Sequence, residues 1–368
     1  MRITAIRLRR LLLPLEPPFE AAWDPEPRRS FEATLVFVET DEGLVGIGSG
    51  DTMDGFERYT GLFLGEDPLD IERHVRVLET ISFHAGRYWP LEAALWDLAG
   101  KAEGLPAARL LGEGVERLPV YASCGELKPP PERAESARAL LEEGFRALKI
   151  RIEPTGVEEG LAAVRAVREA VGTAMDVIVD LNQGWRMPGD VSEPLALPLA
   201  RRLAEELRDL GVLWLEEPLF RHDVHGYAAL RESGIAVSGG EMAREVAELD
   251  ALLEAGALDL YQPDAVLAVG MLRARDFALR VRERGHAFTP HTWTNGIGLL
   301  ANLHVACAVG AGPYLELPYD PPGWTPERRD FMLAEPLRPD SDGRLALPDR
   351  PGLGIQLDEG ALARYSAD

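Results

Sequence analysis

Val212-Leu213-Trp214-Leu215-Glu216-Glu217-Pro218 is a short apolar run that ends in two carboxylates and a proline. A strand buried on both faces reads as a continuous apolar run, whereas a half-exposed one alternates. Runs of the same make lie on either side of it. Upstream, Phe145-Arg146-Ala147-Leu148-Lys149-Ile150-Arg151 ends in a Lys-x-Arg pair, and Asp176-Val177-Ile178-Val179-Asp180 ends in a carboxylate. Downstream, Ala236-Val237-Ser238-Gly239-Gly240-Glu241, Leu258-Asp259-Leu260-Tyr261-Gln262-Pro263-Asp264 and Ala287-Phe288-Thr289-Pro290-His291 end in Glu, Asp and His. In a (β/α)8 barrel the groups that do chemistry sit at the carboxyl ends of different strands. Six such endings in chain order predict a barrel with its active site at one mouth.

Val120-Tyr121-Ala122-Ser123 supplies a first strand and Pro313-Tyr314-Leu315-Glu316-Leu317 an eighth, with helical patterns in the gaps at 131–143, 157–171 and 199–210. The Pro-rich stretch 188–198 reads as a loop insertion. Before Leu118 the texture differs. Alternating stretches at 6–8 and 33–37 bracket a Pro- and charge-rich loop at 14–30, and Thr40-Asp41-Glu42-Gly43 reads as a hairpin turn. Two helical faces follow, Ile71/Val75/Leu78 and, after Pro90, Leu91/Leu95/Leu98, with Gly104 and Pro106 as stops. The expected fold is α/β: a (β/α)8-type barrel from 118 onward, after an α+β module over 1–117. The tail, 319–368, carries one weak strand at 344–347 and is expected to pack back on the first module.

Composition narrows the partners. The chain of 368 residues has 39 Lys+Arg against 61 Asp+Glu, a net charge of −22, so neither nucleic acid nor an anionic membrane is an expected partner. A small anionic substrate stays open, because a metal and a few local cations reverse the field inside a cleft. The two cysteines, Cys124 and Cys307, give no disulfide framework and no metal-spaced pair, which fits a reducing cytoplasm. Leu11-Leu12-Leu13 is too short for a signal-peptide core, and no run reaches transmembrane length. A soluble cytoplasmic protein is expected.

Asp180, Glu216 and Glu241 end three successive runs. Any one of them fits equally well as the acidic cap of the next helix. The three together fit an all-oxygen site for a hard cation, Mg²⁺ above all. Glu217 should point to the other face of its strand, away from the ligands. Asp264 and His291 fall on adjacent strands, and a carboxylate beside an imidazole fixes its tautomer and raises its basicity, as a general base requires. Lys149 and Arg151 share a face and would set two cations opposite His291. They would equally suit a solvated strand end, and Lys149 could serve as a Schiff-base lysine, although that chemistry leaves the three carboxylates unexplained.

With these motifs in place, the chain resembles the enolase superfamily, in particular its mandelate racemase/muconate lactonizing group. The resemblance rests on Lys-x-Arg, Val-Asp180-Leu-Asn, Leu-Glu216-Glu-Pro, Gly-Gly-Glu241, Gln-Pro-Asp264 and Pro-His291, and on Ala94-Leu95-Trp96-Asp97-Leu98-Ala99-Gly100-Lys101 of the first module. It implies a (β/α)7β-type TIM barrel over 118–318 behind an α+β capping domain over 1–117, in which Asp180, Glu216 and Glu241 hold Mg²⁺, which binds a substrate carboxylate. It implies that His291, oriented by Asp264, removes the proton α to that carboxylate, and that Glu316 hydrogen-bonds the enolate oxygen as a protonated acid. Enzymes of this kind use a Lys or His base with Mg²⁺, and the family's barrels are commonly homo-oligomers.

Arg151 departs from the pattern, for racemase-like members usually carry a second lysine there. Arginine is effectively always protonated and a poor base. Racemisation needs a proton removed from one face and returned on the other, whereas dehydration needs one base that can return its proton to the leaving hydroxyl. The substitution favours dehydration of an acid sugar to a 2-keto-3-deoxy acid; Lys149 could still serve on the second face, which keeps racemase, epimerase or lactone cycloisomerase as the alternative. A catalytically silent sugar-acid-binding protein is a further alternative, which the near-complete set of enolising groups disfavours. The loops at 14–30 and 48–55 would close over the mouth. Trp23 and Arg28, with Arg29, could meet the substrate there, as could Asn182, Trp185, Trp293 and Asn295 just past their strands.

Overall fold

The structure, a computed structural model, describes residues 1–185 and 194–367. Of the stretch read as a loop insertion, 188–193 lies outside the described residues.

The chain opens on a three-stranded antiparallel sheet, β1 (Ile3–Phe19), β2 (Arg28–Thr40) and β3 (Val45–Gly48). The hairpin turn falls where the sequence places it, with Gly43 at φ 81°. The loop expected at 14–30 is mostly strand instead: Pro14 faces Ser30 and Phe19 faces Arg28, so only residues 20–27 turn. The prolines misled because a strand at the edge of a sheet has a free side that needs no N–H donor.

Helix Trp89–Glu103 packs across this sheet. A Cβ on Gly48 would lie 2.0 Å from the Pro90 carbonyl oxygen and one on Gly46 2.1 Å from that of Ala94, so glycine is what lets strand and helix touch backbone to backbone. The helix also reaches the barrel. The Trp89 indole donates to the Ala268 carbonyl at 2.8 Å, and the Glu92 carboxylate accepts from Met271 N (3.1 Å) and Leu272 N (2.7 Å), capping the helix Met271–Glu283. Burial pushes the Glu92 carboxyl up to about 7.

Eight parallel strands follow: β4 (Arg117–Ser123), β5 (Ala147–Arg151), β6 (Asp176–Asp180), β7 (Val212–Glu216), β8 (Ala236–Gly239), β9 (Leu260–Tyr261), β10 (Ala287–Phe288) and β11 (Leu315–Pro318). They run in the order β10-β9-β8-β7-β6-β5-β4-β11, with seven α-helices between them among the described residues, a (β/α)7β barrel. Side chains close the seam between β10 and β11. Thr289 Oγ1 donates to the Tyr314 carbonyl at 2.8 Å and Thr292 Oγ1 to that of Glu316 at 2.9 Å. Tyr121, Ala147, Ile178, Trp214 and Leu260 fill the interior as one apolar cluster.

Strand β12 (Arg344–Ala346) lies in the tail and pairs antiparallel with β4, while Leu12 N reaches the Tyr365 carbonyl at 2.8 Å. The tail therefore lies against barrel and cap alike. Among the described residues no helix is long and apolar enough to cross a membrane.

Buried His304, in the helix Gly296–Val309, accepts the Ala108 N–H at Nδ1 (3.0 Å). Burial lowers its pKa to about 4. Between pH 6.5 and 4 the unfolded chain binds the extra proton, so this group's stabilisation is complete above pH 6.5 and is lost as the pH falls through 4. From pH 7 to 4.5 the loss should be about 2 kcal/mol, read from urea midpoints. His304→Gln should lack that increment, and an unchanged slope in the variant would refute the assignment.

Candidate active site

The ladder sets Arg151, Asp180, Glu216 and Ser238 in one row across β5 to β8. Glu241 lies two residues past β8, beyond Gly240 at φ 95°. Asp264 and His291 also lie past their strands rather than in them. Pro263 and Pro290 have no N–H to continue a ladder, so β9 and β10 stop at Tyr261 and Phe288 and release the two side chains toward the mouth.

Ligand oxygens of Asp180, Glu216 and Glu241 lie within 4.8 Å of one another, and all three residues are buried. Burial, opposed by Lys149 and reinforced by Asp180 and Glu316, pushes Glu216 up to about 7. Burial also raises Glu241. Three hard oxygen donors at this spacing, with Glu216 and Glu241 disfavoured as anions by burial, fit a divalent cation of the Mg²⁺ type. Gln262 Nε2 donates to Glu216 at 3.0 Å and the Trp185 indole to Glu241 at 2.5 Å, fixing two of the carboxylates. Glu217 stays outside the triad. It sits at φ 43°, buried against Gly184, where an added Cβ would lie 2.1 Å from its Oε2. Burial, with Glu241 nearby, raises its carboxyl well above the usual range.

At one end of the triad His291 Nδ1 meets Asp264 Oδ2 at 2.9 Å, and its Nε2 lies 4.0 Å from Glu241. Asp264 is itself held by the N–H groups of Val266 (2.7 Å) and Leu267 (3.0 Å) and by Asn302 Nδ2 (3.1 Å). Burial works against a charged imidazole, but Glu241, Glu316 and Asp264 outweigh it and hold His291 at about 9.

At the other end are the two cations. Lys149 is fully buried and pairs with Glu216, with Glu316 at 2.7 Å and with Asp180 at 3.3 Å. Burial would discharge it, yet Glu216 and Glu316 keep its pKa above that of a free lysine. Arg151 is engaged on every side: with Asp180, with Asn182 Oδ1 at 3.0 Å, with the Cys124 carbonyl at 3.1 Å and with Ser123 Oγ at 3.4 Å. Its guanidinium carbon stands 4.8 Å from the Trp23 ring centre and 6.0 Å from that of Trp293. A solvated strand end is therefore excluded for both.

Glu316 differs from the expected protonated acid. Its Oε1 accepts from Ser123 Oγ and Lys149, its Oε2 from Thr292 N at 2.8 Å, and every one of these groups can donate. Burial opposes its ionisation, but Lys149, His291 and Arg151 prevail and bring it down to about 2. The donors around it favour the carboxylate form.

A cavity of about 200 Å³ stands over the triad, and Trp23, Arg28, Asn182, Trp185 and Trp293 line it together with Met242 and Leu267. Arg28 pairs with Asp24, and Asn182 sits at φ 47° beside Asp180. Two other candidates lie elsewhere. Arg29 is exposed on β2, and Asn295 caps the helix Gly296–Val309 while its Nδ2 reaches Ser49 Oγ at 2.9 Å. Asparagine beside a helix start is a capping signal as much as a pocket one. Ser123, overlooked among the site residues, ends the first barrel strand, as the other site residues end or follow theirs.

Residues 132–361 match the family described as enolase C-terminal domain-like. D-galactarolactone cycloisomerase of Agrobacterium fabrum is 31% identical over 387 aligned positions, covering 99% of each chain. L-talarate/galactarate dehydratase of Salmonella typhimurium is 29% identical over 81% of this chain and 71% of its own. A racemase from Streptomyces coelicolor A3(2), solved with bound magnesium, superposes with a TM-score of 0.84 at 27% identity, covering 99% of this chain and 100% of that one. The relatives thus divide among lyases and isomerases.

Proposed function

Since the chain belongs to the enolase superfamily, in its mandelate racemase/muconate lactonizing group, we propose that it dehydrates an acid sugar to a 2-keto-3-deoxy acid. One observation carries this reading. A single imidazole–carboxylate pair faces the cavity among the described residues, and the group opposite it is an arginine engaged on every side.

Asp180, Glu216 and Glu241 would hold Mg²⁺. Bound there, the ion supplies a fixed positive charge for the substrate carboxylate and takes up the Glu241 charge that otherwise keeps His291 protonated. His291 Nε2 removes the proton from C2, while Asp264 holds Nδ1–H and stabilises the imidazolium. Lys149 and Arg151 stay protonated beside the developing enolate and offset its charge. The C2–C3 double bond then forms as the C3–O bond breaks. His291 returns its proton to the departing hydroxyl, so water leaves and the enol tautomerises to the keto acid. The aromatic wall of Trp23, Trp185 and Trp293 sets the space for the rest of the sugar.

Cycloisomerisation of a sugar lactone is the second reading. It too runs on one base, and the relative that spans 99% of both chains carries it out. Incubation with Mg²⁺ and a panel of aldonic and aldaric acids and their lactones in D₂O separates the alternatives. Keto-acid formation from an open-chain acid is the expected result. Exchange at C2 with inversion and no loss of water would overturn dehydration in favour of a racemase, and turnover confined to lactones would favour the cycloisomerase. Binding with neither exchange nor turnover would leave a sugar-acid-binding protein.

A further inference from the structure

We propose that Ser123 is a positioning residue whose hydroxyl connects the aromatic roof of the cavity to the Lys149–Glu316 pair on its floor. Ser123 is fully buried at the end of β4, level with Lys149 on β5 and Pro318 on β11. Three side chains meet at its Oγ: Trp293 Nε1 at 2.7 Å, Arg151 Nη2 at 3.4 Å and Glu316 Oε1 at 2.7 Å.

The chemistry of these partners fixes the direction of each bond. A serine hydroxyl has two lone pairs and one proton, while indole and guanidinium N–H groups only donate. Trp293 and Arg151 therefore take both lone pairs, and the proton is left for Glu316. Glu316 accepts it at Oε1, where Lys149 also bonds at 2.7 Å. The Thr292 N–H occupies Oε2. One hydroxyl thus shares Oε1 with Lys149 and helps to fix the carboxylate that anchors it.

The other end of the chain of bonds is the roof. The Trp293 ring lines the cavity and stands edge-on to Trp23, with centroids 4.6 Å apart, and Trp23 comes from the turn between β1 and β2. Gly125, two residues past Ser123, makes room for this arrangement: an added Cβ would lie 2.8 Å from Trp293 and 3.2 Å from Trp23. A substrate that presses on Trp293 is sensed at Lys149 through Ser123. Only the kinetic half of this inference rests on the dehydratase reading.

The test uses the full chain with ¹⁵N-labelled tryptophan. The Trp293 indole signal, assigned as the one missing from Trp293→Phe, is expected to move in Ser123→Ala. It should move also in Glu316→Gln, and that movement should vanish in the Ser123→Ala background, which separates the relay from the second route through the Thr292 N–H. A signal indifferent to Glu316→Gln overturns the relay, whatever the substrate proves to be. On an acid sugar that the unmodified enzyme turns over, Ser123→Ala should lose roughly 10–100-fold in kcat with KM within about threefold. Ser123→Thr should recover most of the loss, and Trp293→Phe, which leaves the strand intact, should lower kcat likewise. Full kcat in Ser123→Ala, or in Trp293→Phe, overturns the positioning role. Absence of turnover by the unmodified chain counts against the dehydratase reading alone, and the indole signal then decides the relay.

Discussion

Replacing His291 by asparagine is expected to lower turnover by roughly 10,000-fold, the upper end of what a positioned acid–base group contributes. The size follows from double duty, since in the proposed reaction one ring both takes the C2 proton and returns it to the leaving hydroxyl. The opposite side of the triad offers no substitute. Lys149 is clamped among three carboxylates and Arg151 does not titrate in the working range. Mg²⁺ affinity should be nearly unchanged, because His291 lies beside the triad and is not part of it. Steady-state kinetics and titration calorimetry on the same preparation would check both halves. Turnover within tenfold of the unmodified enzyme would exclude His291 as the base.

Chelation is expected to abolish turnover and lower thermal stability together. The buried triad and Glu316 carry four carboxylates against the two cations Lys149 and Arg151, so a divalent ion turns a net of about −2 into about 0 and removes the charge that would oppose an enolate. A ligand that binds only the folded chain stabilises it by about 2.7 kcal/mol at a hundred times its dissociation constant. Mg²⁺ added back after EDTA should therefore raise the melting temperature by a few degrees in a concentration-dependent way. Glu241→Ala should blunt that rise and the recovered activity alike. A melting curve indifferent to Mg²⁺ would refute the metal assignment independently of any substrate.

The barrel was legible because its strands are buried on both sides and leave an apolar signature that surface features do not blur. The convergence of Asp180, Glu216 and Glu241 could be read for the same reason, each of them ending a run or following it closely. Three things could not be read. Residues 14–19 looked like loop because prolines on a sheet edge imitate one. The ionisation of Glu316 depends on which donors the fold brings to it, and those come from three separated segments, at Ser123, Lys149 and Thr292. Arg151 could be recognised as a poor base, but not as a guanidinium held between Trp23 and Trp293, since Trp23 lies 128 residues away in the chain (151 − 23).

Glu92 and Trp89 hold the backbone of residues 268–272, just downstream of the segment that fixes Asp264. The orientation of the base is thus set partly by a helix nearly two hundred residues earlier in the chain. The cap is therefore part of the frame that holds the catalytic pair and not an accessory to it. A transplanted cap would have to bring its own carboxylate and indole to the same amides and carbonyl. Changes in the turn carrying Trp23 leave these contacts alone, whereas changes at Glu92 or Trp89 reach the backbone beside the catalytic pair.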